Sequence, residues 1–183
     1  MQTTTKTKKA TFKTPQGIAQ YPYLNKPDTQ FDSDGIYKVN VRLPSDKAKQ
    51  LIDAVRNAAK EAFGDKAKSA ILPFSNDEET GDIIVKTKSK YQPAICDSSG
   101  AVIPSHSLPT IFGGSEVKVA GTLFPYNAGG RHGISLQLGA VQVIKLSENS
   151  NTVGIQFGAV EGGFVAANDD DESHNEEEGS YNF

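Results

Sequence analysis

The sequence contains a single cysteine, Cys96, and this scarcity excludes an intramolecular disulfide. Its cysteine and histidine residues do not fall at the spacing of a zinc site. No apolar run approaches the roughly twenty residues that a membrane-spanning helix needs. The polar, basic N-terminal residues lack the apolar core of a secretory signal. We therefore expect no metal, no cofactor, no membrane partner and a reducing, intracellular environment.

The end of the chain is strongly acidic instead. Residues 168–183 contain seven acidic residues and no lysine or arginine, a composition that predicts a disordered tail. Because the whole chain has 22 acidic and 19 basic residues, residues 1–167 retain 15 acidic residues and a net charge of +4. The residues of this tail that we expect to bind a partner are Asp169, Asp170, Asp171, Glu172, Glu176, Glu177, Glu178 and Phe183.

A basic body with an acidic tail indicates a site for a polyanion and an internal competitor for that site. This interpretation predicts that deletion of residues 168–183 tightens binding of the polyanion at low salt. The alternative is that the tail only confers solubility. An exposed terminal ring adds nothing to solubility, so Phe183 favours a specific docking peptide.

The body, residues 10–167, is predicted to be one mainly β domain, and residues 1–9 form a basic arm in front of it. One helix is predicted from the Ser45 N-cap to Gly64, with an apolar stripe at helical spacing. The return strand of a hairpin has a predicted bulge at Gly139, where the apolar face changes register. Strands are predicted at residues 10–19, with a turn at 14–17, and at 36–43, 83–91, 116–126 and 132–144, with short apolar pieces at 153–157 and 163–166.

Residues 21–28 carry two prolines, which predict an extended loop. Tyr21 and Tyr23 lie in this loop and serve either as packing residues or as a stacking platform. The loop leads into an acidic turn with Asp28, Asp32 and Asp34, whose spacing does not fit a calcium-binding loop. A solvated turn is the favoured interpretation, and a magnesium site of a nuclease is the alternative.

The predicted strand at residues 83–91 presents a row of lysines. Lys86, Lys88 and Lys90 alternate with shorter residues, so they project from one face about 7 Å apart. This spacing is close to the phosphate repeat of an extended single strand. A solvated sheet edge protected by lysines is the alternative interpretation.

About five strands with one helix after the second, and no nucleophile paired with a base, indicate a binding module and not an enzyme. Cations interleaved with aromatic rings suit a groove that follows a nucleic-acid backbone while the bases stack on the rings. The single helix alternates acids and bases, which favours a single strand over a duplex as the ligand. The candidate binding residues are Lys38, Arg42, Lys86, Lys88, Lys90, Tyr91, Phe124, Tyr126, Arg131, Tyr21 and Tyr23.

Most of the chain resembles the single-stranded DNA-binding proteins of tailed phages. The acidic tail with its terminal Phe183 is similar to that of the T7-type members in particular. The segments of the body that carry the resemblance are residues 21–28, 35–39, 113–119, 133–138 and 140–143.

The resemblance implies an OB-fold-like five-stranded barrel with one inserted α-helix and a disordered acidic tail. It implies a protein that coats single-stranded DNA without sequence preference during phage replication, recombination and repair, in the cytoplasm of the bacterial host. It also implies that the tail competes with DNA and recruits replication proteins such as polymerase and helicase–primase. Self-association is left open, and an OB-type protein-interaction module that never binds nucleic acid is the alternative.

Overall fold

Eight strands and one α-helix make up residues 9–148, the part of the chain that the computed structural model describes. Short 3₁₀ helices span Gly64–Ser69 and Ser105–Ser107. The other elements, in chain order, are β1 (Thr11–Lys13), β2 (Gly17–Asp28), β3 (Ile36–Leu43), α1 (Ser45–Phe63), β4 (Phe74–Asn76), β5 (Ile83–Ser89), β6 (Ala94–Cys96), β7 (Glu116–Ala128) and β8 (Arg131–Lys145).

Five of these strands close into a barrel. Going round the ring, the order is β2, β3, β5, β8, β7 and back to β2, and all pairs are antiparallel except β5 with β8. If the five barrel strands are numbered along the chain, their order around the ring is first, second, third, fifth and fourth. A closed five-stranded barrel with one helix inserted after its second strand confirms the predicted OB-fold-like architecture.

The three short strands extend the barrel strands. Both β1 and β2 pair with the same edge of β7, so together they form one strand that is interrupted after Lys13, as predicted. In the same way, β5 and β6 pair one after the other with the same edge of β8. The third short strand, β4, pairs with the first residues of β5.

The alternation predicted for β3 is confirmed. Val39, Val41 and Leu43 are fully buried, whereas Lys38 and Arg42 lie on the outer face of the barrel. The same rule applies to β5, where buried and exposed side chains alternate along the strand. Because successive side chains of a strand point to opposite faces, each polar residue of these strands has a defined outward direction.

The helix α1 packs its apolar stripe against β7 and β8. The predicted N-cap at Ser45 was wrong: Pro44 has the non-helical N-cap conformation and Ser45 is the first helical residue. Pro44 carries no side-chain donor or acceptor, and its carbonyl accepts the N–H of Ala48 at 3.1 Å instead. Gly64 ends the helix with φ +55°, as predicted.

The bulge predicted in the return strand is confirmed. Ala120 pairs with Ala140 and Gly121 pairs with Leu138, so Gly139 is the extra residue between two successive pairs. The hairpin between β7 and β8 turns at Gly129 and Gly130, both at positive φ, which suits a two-residue hairpin turn.

The loop predicted at residues 21–28 was wrong, because these residues are the second half of β2. Both prolines lie inside register shifts of the β2–β3 pairing, where no regular ladder hydrogen bond is required of them. The segment between α1 and β5 contains the first 3₁₀ helix and β4.

Several predictions fall outside the described residues. They are the pieces at 153–157 and 163–166, the acidic tail at 168–183 and residues 1–8 of the basic arm. Within residues 9–148, no helix combines the length and the apolar character needed to cross a membrane.

Candidate nucleic-acid interface

The outer faces of β3 and β5 form one basic surface. Lys38 of β3 lies opposite Lys88 of β5, and Asn40 lies opposite Lys86. The residues between them are buried in the barrel, so these polar side chains all point outwards. We call this surface the basic face; it consists of Lys38, Asn40, Arg42, Lys86, Lys88 and Lys90. Lys90 directly follows the end of β5 and continues its row of lysines, so we refer to Lys86, Lys88 and Lys90 together as the lysines of β5.

The lysine row predicted on β5 is confirmed as an exposed row. Lys86, Lys88 and Lys90 are exposed, and the alternate residues Thr87 and Ser89 are buried. The row does not lie on an open sheet edge, because β5 has β3 on one side and β4 and β8 on the other. Protection of an edge strand, the alternative explanation for the lysines, therefore does not apply.

The two cations of β3 differ from the lysines of β5, because each has a carboxylate partner. Lys38 forms an ion pair with Asp28, and Nε of Arg42 lies 3.6 Å from a carboxylate oxygen of Asp82. The described residues, 9–148, form no ion pair besides these two. The lysines of β5 therefore have no acidic partner among them.

The carboxylate of Asp28 is held in a polar environment. Its hydrogen bond from Lys38, followed by one from the backbone N–H of Gln30, keeps its pKa below the usual value. The carboxylate is therefore charged throughout the neutral pH range.

Two tyrosines lie beside the cations of β3. Tyr23 pairs with Lys38 across the strands, and the ammonium group of Lys38 lies 5.1 Å from the centre of its ring, a cation–π contact. Tyr21 lines a shallow cleft together with Arg42. Tyr21 has φ +48° and its side chain is 75% exposed, so a strained backbone presents a ring to solvent.

Phe124 reaches the other side of the basic face. It lies on the outer face of β7, opposite Ser135 of β8, and Gln137 of β8 lies opposite Lys88 of β5. As a result Phe124, Lys88 and Lys90 line one cleft of about 250 Å³. Phe124 is 54% exposed and Tyr91, which follows Lys90, is 78% exposed.

The structure does not bring every predicted residue to the basic face. Tyr126 is half-buried and Arg131 is exposed, and both lie near the turn of the β7–β8 hairpin. Within residues 9–148, no hydrogen bond, ion pair or cation–π contact joins either of them to the basic face. In OB folds the loop between the fourth and fifth strands flanks the binding surface, and this hairpin is the equivalent loop.

Sequence reasoning missed Phe31. It lies in the loop between β2 and β3 and is 90% exposed, the highest value among the large apolar residues of the described part. This loop connects the first two barrel strands. In OB folds the loop at this position also flanks the binding surface, together with the loop between the fourth and fifth strands. An aromatic residue in an otherwise polar, acidic turn was the available signal.

Two of the three acids in and before this loop already hold other groups with their carboxylates. Asp28 binds Lys38 and the N–H of Gln30, and Asp32 accepts the N–H of Asp34 at 3.0 Å. Within residues 9–148, no group of three potential ligands could hold a metal ion. The magnesium site of the nuclease alternative therefore finds no support in the structure.

Comparison with known proteins gives matches of structure and none of sequence. No protein-family model matches the chain, and no curated protein sequence matches it. The crystal structure of gp2.5, a single-stranded DNA-binding protein encoded by bacteriophage T7, matches with a TM-score of 0.66 and 24% identity, over 87% of this chain and 100% of that one.

The single-stranded DNA-binding protein of bacteriophage Enc34, in its complex with single-stranded DNA, matches with a TM-score of 0.63 and 18% identity. That match covers 76% of this chain and 88% of the Enc34 chain. The chain therefore has the fold of the phage single-stranded DNA-binding proteins. The resemblance inferred from the sequence is confirmed at the level of the fold.

Proposed function

We propose that this protein binds single-stranded DNA without sequence preference and acts as a coat and not as an enzyme. The observation that carries the proposal is the basic face, in which an exposed row of three lysines lies between aromatic rings on both sides. The fold supports the proposal, because two phage proteins that share it are single-stranded DNA-binding proteins.

The lysines of β5 would bind the phosphates. Their spacing of about 7 Å follows from the strand geometry and allows successive lysines to contact successive phosphates of an extended strand. Each phosphate contact releases condensed counterions, so the logarithm of the affinity falls with the logarithm of the salt concentration, by about 0.7 per contact for a single strand.

The rings would bind the bases. Tyr91 and Phe124 lie beside Lys90, and Tyr21 lies beside Arg42 at the other end of the face. Lys38 covers one side of the Tyr23 ring, so a base would stack on the other side. Stacking on a ring contributes roughly 1–3 kcal/mol per base and needs no particular base, which explains binding without sequence preference.

A single strand fits this surface better than a duplex does. The face is built from strands, and α1 packs elsewhere, on β7 and β8. A duplex reader of the helix type places a helix in the major groove, and α1 carries a mixture of acids and bases along its exposed side. The aromatic rings beside the basic face can stack only on unpaired bases.

The biological role that we propose is the one that the resemblance of the sequence to single-stranded DNA-binding proteins of tailed phages implies. The protein would coat DNA exposed during phage replication, recombination and repair, in the cytoplasm of the host bacterium. Its acidic tail, with Asp169 to Glu178, would compete with DNA for the basic face, and Phe183 would then be available to recruit polymerase or helicase–primase. The opposite charges of the body and the tail support this part of the proposal.

The test is a fluorescence-anisotropy titration of labelled oligo-dT, with a duplex of the same length as the control. We expect preference for the single strand, an affinity that falls with salt, and tighter binding at low salt by residues 1–167 than by the full chain. Equal affinities of the two chains would contradict the proposal that the tail competes with DNA, and they would leave the DNA-binding proposal intact. Absence of binding by both would contradict the proposal and favour a protein-interaction module.

A further inference from the structure

Each of the two cations of β3 on the basic face already has an anionic partner in the fold. Lys38 is paired with Asp28, and Arg42 is paired with Asp82. The lysines of β5, on the neighbouring strand, have no such partner among residues 9–148. Within residues 9–148, the basic face therefore combines lysines that have no ion-pair partner with two cations of β3 that are each paired with a carboxylate.

Asp28 is positioned by the strand pairing and by two contacts of its carboxylate. It is the last residue of β2, in register with Ile36 of β3, two residues before Lys38. One of its carboxylate oxygens accepts the N–H of Gln30 at 3.0 Å, and the other oxygen pairs with Lys38. Its side chain is 10% exposed, whereas that of Lys38 is 37% exposed. The carboxylate is held by two contacts, and the lysine is the more exposed member of the pair and can turn towards a ligand.

Asp82 has a looser arrangement with Arg42. It lies immediately before β5, in a turn where its backbone carbonyl accepts the N–H of Asp77 at 2.8 Å. Its distance of 3.6 Å from Nε of Arg42 is that of an ion pair without a good hydrogen bond. We therefore expect Asp82 to compete more weakly than Asp28.

We propose that Asp28 and Asp82 are built-in competitors that occupy the phosphate positions on Lys38 and Arg42 and thereby limit the affinity for single-stranded DNA. This inference rests on the proposed function. A phosphate oxygen replaces a carboxylate oxygen on the same cation, so the gain from each new contact is offset by the loss of an existing one.

The consequence is a graded face. Phosphates bind the lysines of the β5 row first, and the cations of β3 join only when they leave their carboxylate partners. A coat protein must be removed from DNA as well as bind it, and a limited affinity allows its removal by other proteins. The competition is local and permanent, because both acids belong to the barrel and its adjoining turns.

The first test compares Asp28→Asn, at the end of β2, with Asp34→Asn, in the loop that follows. Both remove one negative charge, and asparagine keeps the oxygen that accepts the N–H of Gln30. Asp34 is exposed and has no ion pair among the described residues. We expect Asp28→Asn to tighten binding of oligo-dT at low salt by about two- to fivefold, with a salt slope steeper by about 0.7, and Asp34→Asn to have a much smaller effect.

A double-mutant cycle with Lys38→Gln separates competition from a general charge effect. Lys38→Gln should cost little affinity in the wild type and distinctly more in the Asp28→Asn background, because only there is the ammonium group available to phosphate. For Arg42 the corresponding comparison is Asp82→Asn, with Glu78→Gln as its control. We expect Asp82→Asn to increase the affinity for oligo-dT less than Asp28→Asn does. Melting temperatures confirm that each variant is folded.

The outcomes distinguish this inference from the proposed function. If the wild type binds oligo-dT and the Asp28→Asn and Asp34→Asn variants gain affinity equally, the effect is one of net charge and the competitor role is overturned. No gain from Asp28→Asn would overturn it as well. If the wild type does not bind oligo-dT, the proposed function fails and this inference fails with it.

Discussion

Replacement of Lys86, Lys88 and Lys90 together by glutamine should lower the affinity for oligo-dT roughly hundredfold at 0.1 M salt. The three lysines are exposed on one face and unpaired among the described residues, so each can give its full contribution to a phosphate contact. Three contacts at about 0.7 each reduce the salt slope by about two, and over the tenfold interval below 1 M salt this amounts to about two decades of affinity.

The matched control is the triple replacement of Lys47, Lys49 and Lys60 by glutamine. These lysines are exposed on α1, away from the basic face, and their replacement changes the net charge by the same amount. The comparison is made by anisotropy titration at several salt concentrations, with circular dichroism to confirm folding. Similar losses in both variants would show that net charge alone attracts DNA and that β5 has no special role.

Gly121→Ala should destabilise the barrel severely. A Cβ atom at this position would lie 1.8 Å from the carbonyl oxygen of Gln137 and 3.0 Å from the ring of Phe12. The first contact is with the backbone of the neighbouring strand β8, so no side-chain rotation can relieve it. We expect a loss of about 3 kcal/mol or more, which corresponds to a melting temperature lower by about 6–12 °C.

Gly139→Ala provides the control within the same bulge. Its added Cβ atom would lie 3.4 Å from the carbonyl oxygen of Ala120 and from Cα of Gly121, which is ordinary contact. We expect a change in melting temperature of only about 1–3 °C. Thermal denaturation followed by circular dichroism measures both variants, and an equal effect of the two would contradict the close approach of β7 and β8 at Gly121.

The parts of the fold that depend on local patterns could be predicted from the sequence. The alternation in β3 and β5 was strict enough to give the correct outward face of Lys38 and of the β5 lysines. The change of apolar register at Gly139 gave the bulge. The alternation of apolar and polar residues along a strand indicates which side chains face the interior of the barrel and which face outwards.

The parts that depend on pairing between distant segments could not be predicted. Residues 21–28 looked like a loop because prolines oppose regular pairing, yet register shifts admit them to β2. Phe124 comes beside Lys88 only through the parallel pairing of β5 with β8 and the antiparallel pairing of β8 with β7. The ion pair between Arg42 and Asp82 joins residues forty positions apart, which no spacing rule indicates.

The most direct test of the central claim maps the contact on the protein. Two-dimensional ¹H–¹⁵N spectra of the labelled full chain are recorded during titration with oligo-dT. We expect the largest changes in the amides of β3 and β5, around Lys38 to Arg42 and Lys86 to Lys90, and no change in the amides at the start of α1, around Lys47 to Lys49. Changes concentrated on α1, or no change at saturating oligo-dT, would contradict the claim that single-stranded DNA binds the basic face.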